Sequence, residues 1–345
     1  MCTIEAKFWR STMKYFRLLA LIVGLFLFIT TACYQSSSNS NQTNLALWMS
    51  DNGKIKVLCT TAMIADLVQF IGDKDIDCLT LIQGESDPHT YQLVKGDDEK
   101  FARADIIFYN GLGLEHGPSL SNQLKDNPNA FAVADYIQKV RPEAIVQINS
   151  SIDPHIWMDI SLWKESVPFI SQVLVKAVPE RSKEIQERAT ILTLKLDQVH
   201  KEVIQRLHTV PETSRYLVSS HEAFNYFARA YICPEEELVT EKWTERVMAP
   251  EGLAPDSQLS TADIKRLVDH IITFRVATVF AESNVSRDSL KKLVDACGKK
   301  GFVVHICESP LYADAMGPRG SSADSYTGMI VHDSQVIADE LGKRQ

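Results

Sequence analysis

No CxxC pair occurs in these 345 residues, and neither does a GxSxG or a P-loop. Their absence removes paired-cysteine zinc and redox motifs, the nucleophile elbow of serine hydrolases and the glycine-rich cradle for nucleotide phosphates. Positive charge is short too: 36 Lys and Arg against 44 Asp and Glu give a formal net charge of −8. That balance argues against nucleic acid as a partner and does not discourage cations. Beyond one early stretch, no apolar run is long enough to span a membrane. Histidine is scarce, nine in all, yet two of the nine follow the same dipeptide. Asp-Pro-His occurs at 87–89 and again at 153–155.

The early stretch reads as a targeting segment. Lys7, Arg10, Lys14 and Arg17 make a basic start, and the apolar run Leu18 to Ile29 follows. Twelve residues are too few to span a bilayer comfortably, and basic-then-apolar is the layout of a secretory signal. Translation from Met13 opens an equally good signal. Thr30-Thr31-Ala32-Cys33 resembles a bacterial lipobox, so residues 1–32 are expected to be cleaved and Cys33 lipidated. An uncleaved anchor helix is the alternative. The polar stretch "YQSSSNSNQTN" at 34–44 favours the lipoprotein, because such sequences stay solvated and flexible. The expected product is exported, to the periplasm or cell surface, and held on a membrane through Cys33. Removing residues 1–32 takes away four positive charges and Glu5, moving the net charge from −8 to −11. Five cysteines remain after Cys33, an odd number that leaves at least one unpaired.

The body, about 290 residues, is long for one domain and suits two. From Lys54, strand and helix patterns alternate. "IKVLCTT", "IDCLTLI" and "DIIFYN" read as strands, with "AFAVA" as another candidate. "MIADLVQFIG", "DDEKFARA" and "ISLWKESVPFISQVLVKAV" read as helices. Alternation of this kind predicts a parallel sheet flanked by helices. The period then changes. Ile185, Ala189, Leu192, Leu196, Val199, Val203 and Leu207 recur at steps of four and three, one face of a long helix. Pro179 suits its first turn, and Pro211 lies just beyond its end. Alternation resumes with "RYLVSS", "VATVFAE" and "GFVVHIC" as strands, and with helices over 222–231, 260–273, 286–298 and 325–342. The expected fold class is α/β: two lobes, each a mainly parallel sheet flanked by helices, joined by one long rigid helix. The boundaries are 33–53 for the lipidated cysteine and tether, 54–178 for the N-terminal lobe, 179–210 for the linking helix and 211–345 for the C-terminal lobe.

Five polar residues lie just beyond expected strand ends. His89 follows "IDCLTLI", His155 follows "AIVQI", His221 follows "RYLVSS", Glu282 ends "VATVFAE" and Asp314 follows "GFVVHIC" by a loop. In open α/β sheets that edge is where ligands bind. Three imidazoles and a carboxylate suit Zn²⁺, or Mn²⁺ and Fe²⁺ if the carboxylate binds through both oxygens. Proline stiffens the chain before each of the first two histidines. Asp87 and Asp153 are placed to accept a ring N–H and fix the tautomer. A lone loop histidine is usually only a surface residue. The repeated tripeptide, with His221 and Asp314 at equivalent strand ends, lifts the set above that reading. Asp324 in "SSADSY" is the rival to Asp314, and Glu282 is ranked as a supporting residue or extra ligand.

Two motifs fall short. "HEAFN" at 221–225 has Asn225 where a zinc-peptidase HExxH has its second histidine. Glu222 there also suits a helix N-terminus, where the dipole favours acids. "GLGLEHG" at 111–117 is spaced GxGxxxG and precedes Pro118, so its glycines are read as a tight turn.

These residues resemble the TroA-like solute-binding proteins of bacterial ABC importers for zinc, manganese or iron. The resemblance covers nearly all of the mature chain. It is carried by "LIQGESDPHTYQLVKGDDEKFARADIIFYNGLGLEH", "DPHIWMD", "YLVSSHEAFNYFARAY", "APEGLAPDSQLS", "VFAES" and "SPLYADAMGPRG". "VKGDDEK" and "APEGLAPDSQLS" are most similar to chlamydial-type members. The resemblance implies metal ligands at His89, His155, His221 and Asp314, a rigid linking helix and limited lobe motion. The chain lacks the long His-rich loop of many zinc-specialised members, and has His221 where many manganese-specialised ones have Glu. The metal therefore stays open among Zn²⁺, Mn²⁺ and Fe²⁺.

The implied function is capture of one divalent metal ion and its delivery to an ABC permease and its ATPase in the cytoplasmic membrane, by a monomer that makes and breaks no bond. A membrane-anchored zinc hydrolase would need an open coordination position and a placed base. A surface adhesin that binds metal is the third reading.

Overall fold

The computed structural model describes residues 45–255 and 260–343. The targeting segment 1–32, Cys33 and the polar stretch 34–44 lie outside the described residues. The chain divides into two units between Asn52 and Gly53. In the first, residues 45–49 are helical and Ser50 Oγ donates to the Leu47 carbonyl at 2.6 Å.

The second unit opens with the expected alternation. β1 (Ile55–Cys59), β2 (Ile76–Thr80), β3 (Ile106–Tyr109) and β4 (Ala130–Ala132) form one sheet in the order β2-β1-β3-β4, parallel throughout. Its connections are α1 (Ala62–Gly72), α2 (Asp97–Arg103) and α3 (Pro118–Leu124). α1 buries Met63, Ile64, Leu67, Val68 and Ile71, the three-and-four spacing of one helical face. Pro118 starts α3, where its missing N–H is harmless.

Here the structure departs from the sequence reading in three places. "AFAVA" is strand only to Ala132, because α4 (Val133–Val140) begins at once, with Ala134 N donating to Asn110 O at 2.7 Å. "AIVQI" is not a strand of the parallel sheet: β5 (Gln147–Ile148) pairs antiparallel with β6 (Ser151–Ile152) in a short hairpin. The helix expected over 160–178 is two, α5 (Ile160–Trp163) and α6 (Ser166–Ala177). Pro168 explains the break. Inside one continuous helix its ring would meet the Lys164 carbonyl, whereas in the first turn of α6 it costs nothing.

The long helix α7 (Ser182–Leu207) buries all seven of the residues that define its face, Ile185 to Leu207. Its 26 residues give a length of about 39 Å. It packs against α1, α5, α6 and the last helix of the chain, so one apolar core runs along it.

Beyond it, the strands are shorter than the apolar runs suggest. β7 (Leu217–Val218) pairs parallel with β8 (Val247–Met248), and β9 (Thr278–Val279) with β10 (His305–Ile306). Phe280 N donates to Val218 O at 2.8 Å and ties the two pairs together. α8 (Asn225–Phe227) starts later than expected and continues as a wider turn over Ala228–Ile232, closed by Cys233 N on Ala228 O at 2.9 Å. Glu222 thus precedes the helix instead of sitting in its first turn. α9 (Glu235–Val239), α10 (Thr261–Thr273), α11 (Asp288–Lys299) and α12 (Tyr326–Gly342) complete the lobe. A second apolar core gathers Leu267, Ile271, Val279, Leu290 and Leu293 between α10, α11 and this sheet.

Candidate metal centre

The two Asp-Pro-His loops share one local device. The Asp87 carboxylate accepts the backbone N–H of His89 at 2.8 Å, and the Asp153 carboxylate that of His155 at 2.9 Å. Each aspartate bridges over its proline and sets the histidine that follows, as an Asx-turn does. The two then differ. Asp153 Oδ1 also meets His155 Nδ1 at 2.7 Å. Asp87 takes the Thr90 hydroxyl at 2.7 Å instead, so it shapes the loop and does not hold the ring, contrary to the expectation for that residue.

His89 lies on the loop after β2, His221 three residues beyond β7 and Asp314 on the loop after β10. Their strands deliver them to one edge. Bridges between His221 and Glu251 and between Glu282 and Leu311 extend the second sheet to that edge. His155 reaches the same place from the β5–β6 hairpin, not from a parallel strand. Gly117 keeps the neighbouring turn close, since a Cβ there would stand 2.1 Å from the carbonyl of Tyr91.

The four side chains converge and are buried, none above 4% exposed. His89 Nε2 is 3.1 Å from His155 Nε2, and His221 Nε2 is 3.4 Å from His155 Nε2. Asp314 oxygens lie 3.3 Å from His221 Nε2, 3.5 Å from His155 Nε2 and 3.8 Å from His89 Nε2. Four tetrahedral donors about 2.0–2.1 Å from a zinc ion stand roughly 3.3 Å apart, close to these separations. All four donor atoms fall within 4.8 Å of one another, as a group that could hold a metal ion.

Carboxylates stand behind two of the rings. His155 Nδ1 faces Asp153, and His221 Nδ1 lies 2.5 Å from Glu282 Oε2. A carboxylate accepts and cannot donate, so His155 Nδ1 carries the proton and its Nε2 presents a lone pair to the cluster. His221 Nε2 lies 3.4 Å from that lone pair and 3.3 Å from Asp314, a position where a proton or a metal ion satisfies both. Asp314 Oδ1 is buried without a hydrogen bond. Burial, with the neighbouring histidines adding to it, pushes His89 down to about 3 against the opposing pull of Asp314. Burial would also lower His221, but Glu282 and Asp314 overcome it and hold that imidazole well above its ordinary value. Asp314 is held far below the usual carboxylate range, against burial, by His221 and the other two rings.

Glu282 serves chiefly as an anchor. Its Oε1 accepts the backbone N–H groups of Ser220 and His221 at 2.9 and 3.0 Å. Asp324 is exposed and accepts Gly320 N at 2.8 Å, away from the cluster. Two supporting residues escaped the sequence reading. Asn225 Nδ2 donates to Asp153 Oδ2 at 3.0 Å. Trp157 Nε1 donates to the carbonyl of Ala313, beside Asp314, at 2.9 Å. Exposed His116 places its ring 5.7 Å from that of His89. Trp157 and Asn225 sit inside the motifs "DPHIWMD" and "HEAFN" but carry no signal without a partner in view.

Comparison with known proteins gives this geometry its relatives. Residues 57–340 match the model of the family described as ZnuA, zinc-uptake complex component A, periplasmic. The chain belongs to the ZnuA family. Among ZnuA-family relatives, the metal-binding protein YtgA of Chlamydia pneumoniae is 38% identical over 84% of this chain and 87% of its own. The zinc-binding protein TroA of Treponema pallidum is 31% identical over 85% of this chain and 90% of its own. The crystal structure of Fe(III)-bound YtgA from Chlamydia trachomatis superposes with a TM-score of 0.78 at 34% identity, covering 83% of this chain and 97% of that one. The two-lobed α/β fold is that of its ZnuA-family relatives.

Proposed function

We propose that this protein is the substrate-binding component of a metal ABC importer. It holds one metal ion (Zn²⁺, Mn²⁺ or Fe²⁺) through His89, His155, His221 and Asp314, between lobes at 54–178 and 211–345 joined by the segment 179–210. The observation that carries the assignment is the convergence of four buried side chains, His89, His155, His221 and Asp314, whose donor atoms all lie within 4.8 Å of one another. Family membership supports the transport role, as do relatives named as zinc-, manganese- and iron-binding components. The partners are a permease and its ATPase. Export and lipid attachment through Cys33 place the protein on the outer side of the membrane that holds them. No helix among the described residues is long and apolar enough to cross a membrane. Four protein ligands close a tetrahedral site, and that suits a carrier better than a hydrolase, which keeps a coordination position open for water.

The test is metal content by plasma mass spectrometry, on the protein and on a His89→Ala/His155→Ala variant. One metal per chain, lost in the variant, is expected. No metal in either after reloading with Zn²⁺, Mn²⁺ and Fe²⁺ would overturn the proposal.

A further inference from the structure

We infer that Cys59 and Cys78 form a thiol–disulfide exchange site, converted to an intramolecular disulfide by an external disulfide compound. β1 and β2 run parallel with Val57 opposite Cys78 and Cys59 opposite Thr80. The two cysteines are therefore diagonal neighbours on one face of the sheet, and their Sγ atoms are 3.7 Å apart. Cys59 is fully buried, whereas Cys78 is half-buried on β2, the edge strand. Of the two, Cys78 is the more accessible, although its Sγ also lies 3.9 Å from the Ala65 carbonyl on α1.

The chemistry follows from that asymmetry. The Cys78 thiolate attacks one sulfur of R–S–S–R. The S–S bond breaks, one RS⁻ leaves and takes up a proton, and a mixed disulfide remains on Cys78. Cys59 then gives up its proton to solvent and attacks Cys78 Sγ, expelling the second RS⁻. Two protein thiols are oxidised, and the external disulfide is reduced to two thiols. The second step is the slow one, since burial and the adjoining Cys78 push the Cys59 thiol well above its ordinary value. The sulfurs must approach to about 2.0 Å. Diagonal neighbours in a sheet lie roughly 7–8 Å apart at Cα, beyond the usual span of about 4.4–6.8 Å, so closing the bond requires the edge strand to move and leaves it strained and reducible. Exported proteins meet such oxidants.

The experiment treats the full chain with oxidised glutathione, alkylates the remaining thiols and maps the peptides by mass spectrometry. A peptide pair joined through Cys59 and Cys78, lighter by two hydrogens and released by dithiothreitol, is the expected product. In Cys78→Ser, Cys59 is expected to stay unmodified in the folded protein. Recovery of both cysteines alkylated, or of Cys78 only as its glutathione adduct, overturns the inference. Metal content does not enter this readout, so failure here leaves the transport reading untouched.

Discussion

Asn225 donates through Nδ2 to Asp153 Oδ2 at 3.0 Å, while Asp153 Oδ1 holds His155 Nδ1 at 2.7 Å. The residue standing where a zinc peptidase has its second histidine instead orients a carboxylate, and that carboxylate orients the His155 ring. The contact also ties the C-terminal lobe to the second Asp-Pro-His loop. Asn225→Ala is expected to weaken metal binding by about 10–100-fold, the usual cost of losing a partner behind a metal ligand. Competition against a chromophoric chelator would measure it. Unchanged affinity would mean that the backbone bond to His155 N is enough to aim the ring.

The two candidate carboxylates should separate cleanly. Asp314 is buried among the three Nε2 atoms, whereas Asp324 is exposed and bonds only to a loop amide. Asp314→Ala is expected to cost more than about 100-fold in affinity, since it removes the one charged donor of the four that converge. Asp324→Ala should stay near the wild type. The reverse order, read by the same competition, would mean that the carboxylate has been misassigned.

How far the sequence went depends on the range of the interaction concerned. α1 and α7 were legible because a helical stripe is a local pattern, and every residue of the Ile185–Leu207 face is buried. The cluster was legible because strand ends and a repeated Asp-Pro-His place residues before their partners are known. His155 joins the cluster by a different route from the one its sequence suggests. "AIVQI" has the apolar content of a buried strand, but which strand pairs with it is a non-local choice, and here it turns into a hairpin. The short β7, β9 and β10 fail in the same way: apolar runs report burial, and hydrogen-bond register decides strand length. The contacts by which Asn225 and Trp157 support the cluster reach partners 72 and 156 residues away, a distance no sequence window spans.

Protons should compete with the metal. Each imidazole binds through an unprotonated Nε2, and in the metal-free protein Glu282 and Asp314 hold the His221 proton above its ordinary value. Metal entry at neutral pH then displaces a proton. Affinity should fall about tenfold for each pH unit per proton displaced, with the His221 proton already competing at neutrality. Calorimetric titration in buffers of different ionisation enthalpy would count the proton released. Affinity that stays flat from about pH 7.5 to 5 is incompatible with a three-histidine site.

His270 tests burial far from the metal. It lies in α10, its ring packed against Phe274 at 4.7 Å and Tyr216 at 6.1 Å, and its buried Nε2 has no hydrogen-bond partner. Burial alone lowers it to about 4. An unfolded chain takes up this proton below about 6.5, but the folded one resists until about 4. The unfolded state therefore binds more protons across that window, and folding stability falls as the pH drops through it. The whole shift corresponds to about 3 kcal/mol, and solvent at the rim of the helix reduces the expected loss to about 1–2 kcal/mol. His89, lowered to about 3, acts with the same sign, so the comparison needs a variant and not the wild type alone. His270→Phe keeps the aromatic packing and has no proton to accept. Urea unfolding in chelator at about pH 7 and pH 5 should show the variant gaining on the wild type at the lower pH. Parallel losses in the two proteins would mean that His270 protonates in place, with its ring turned to solvent.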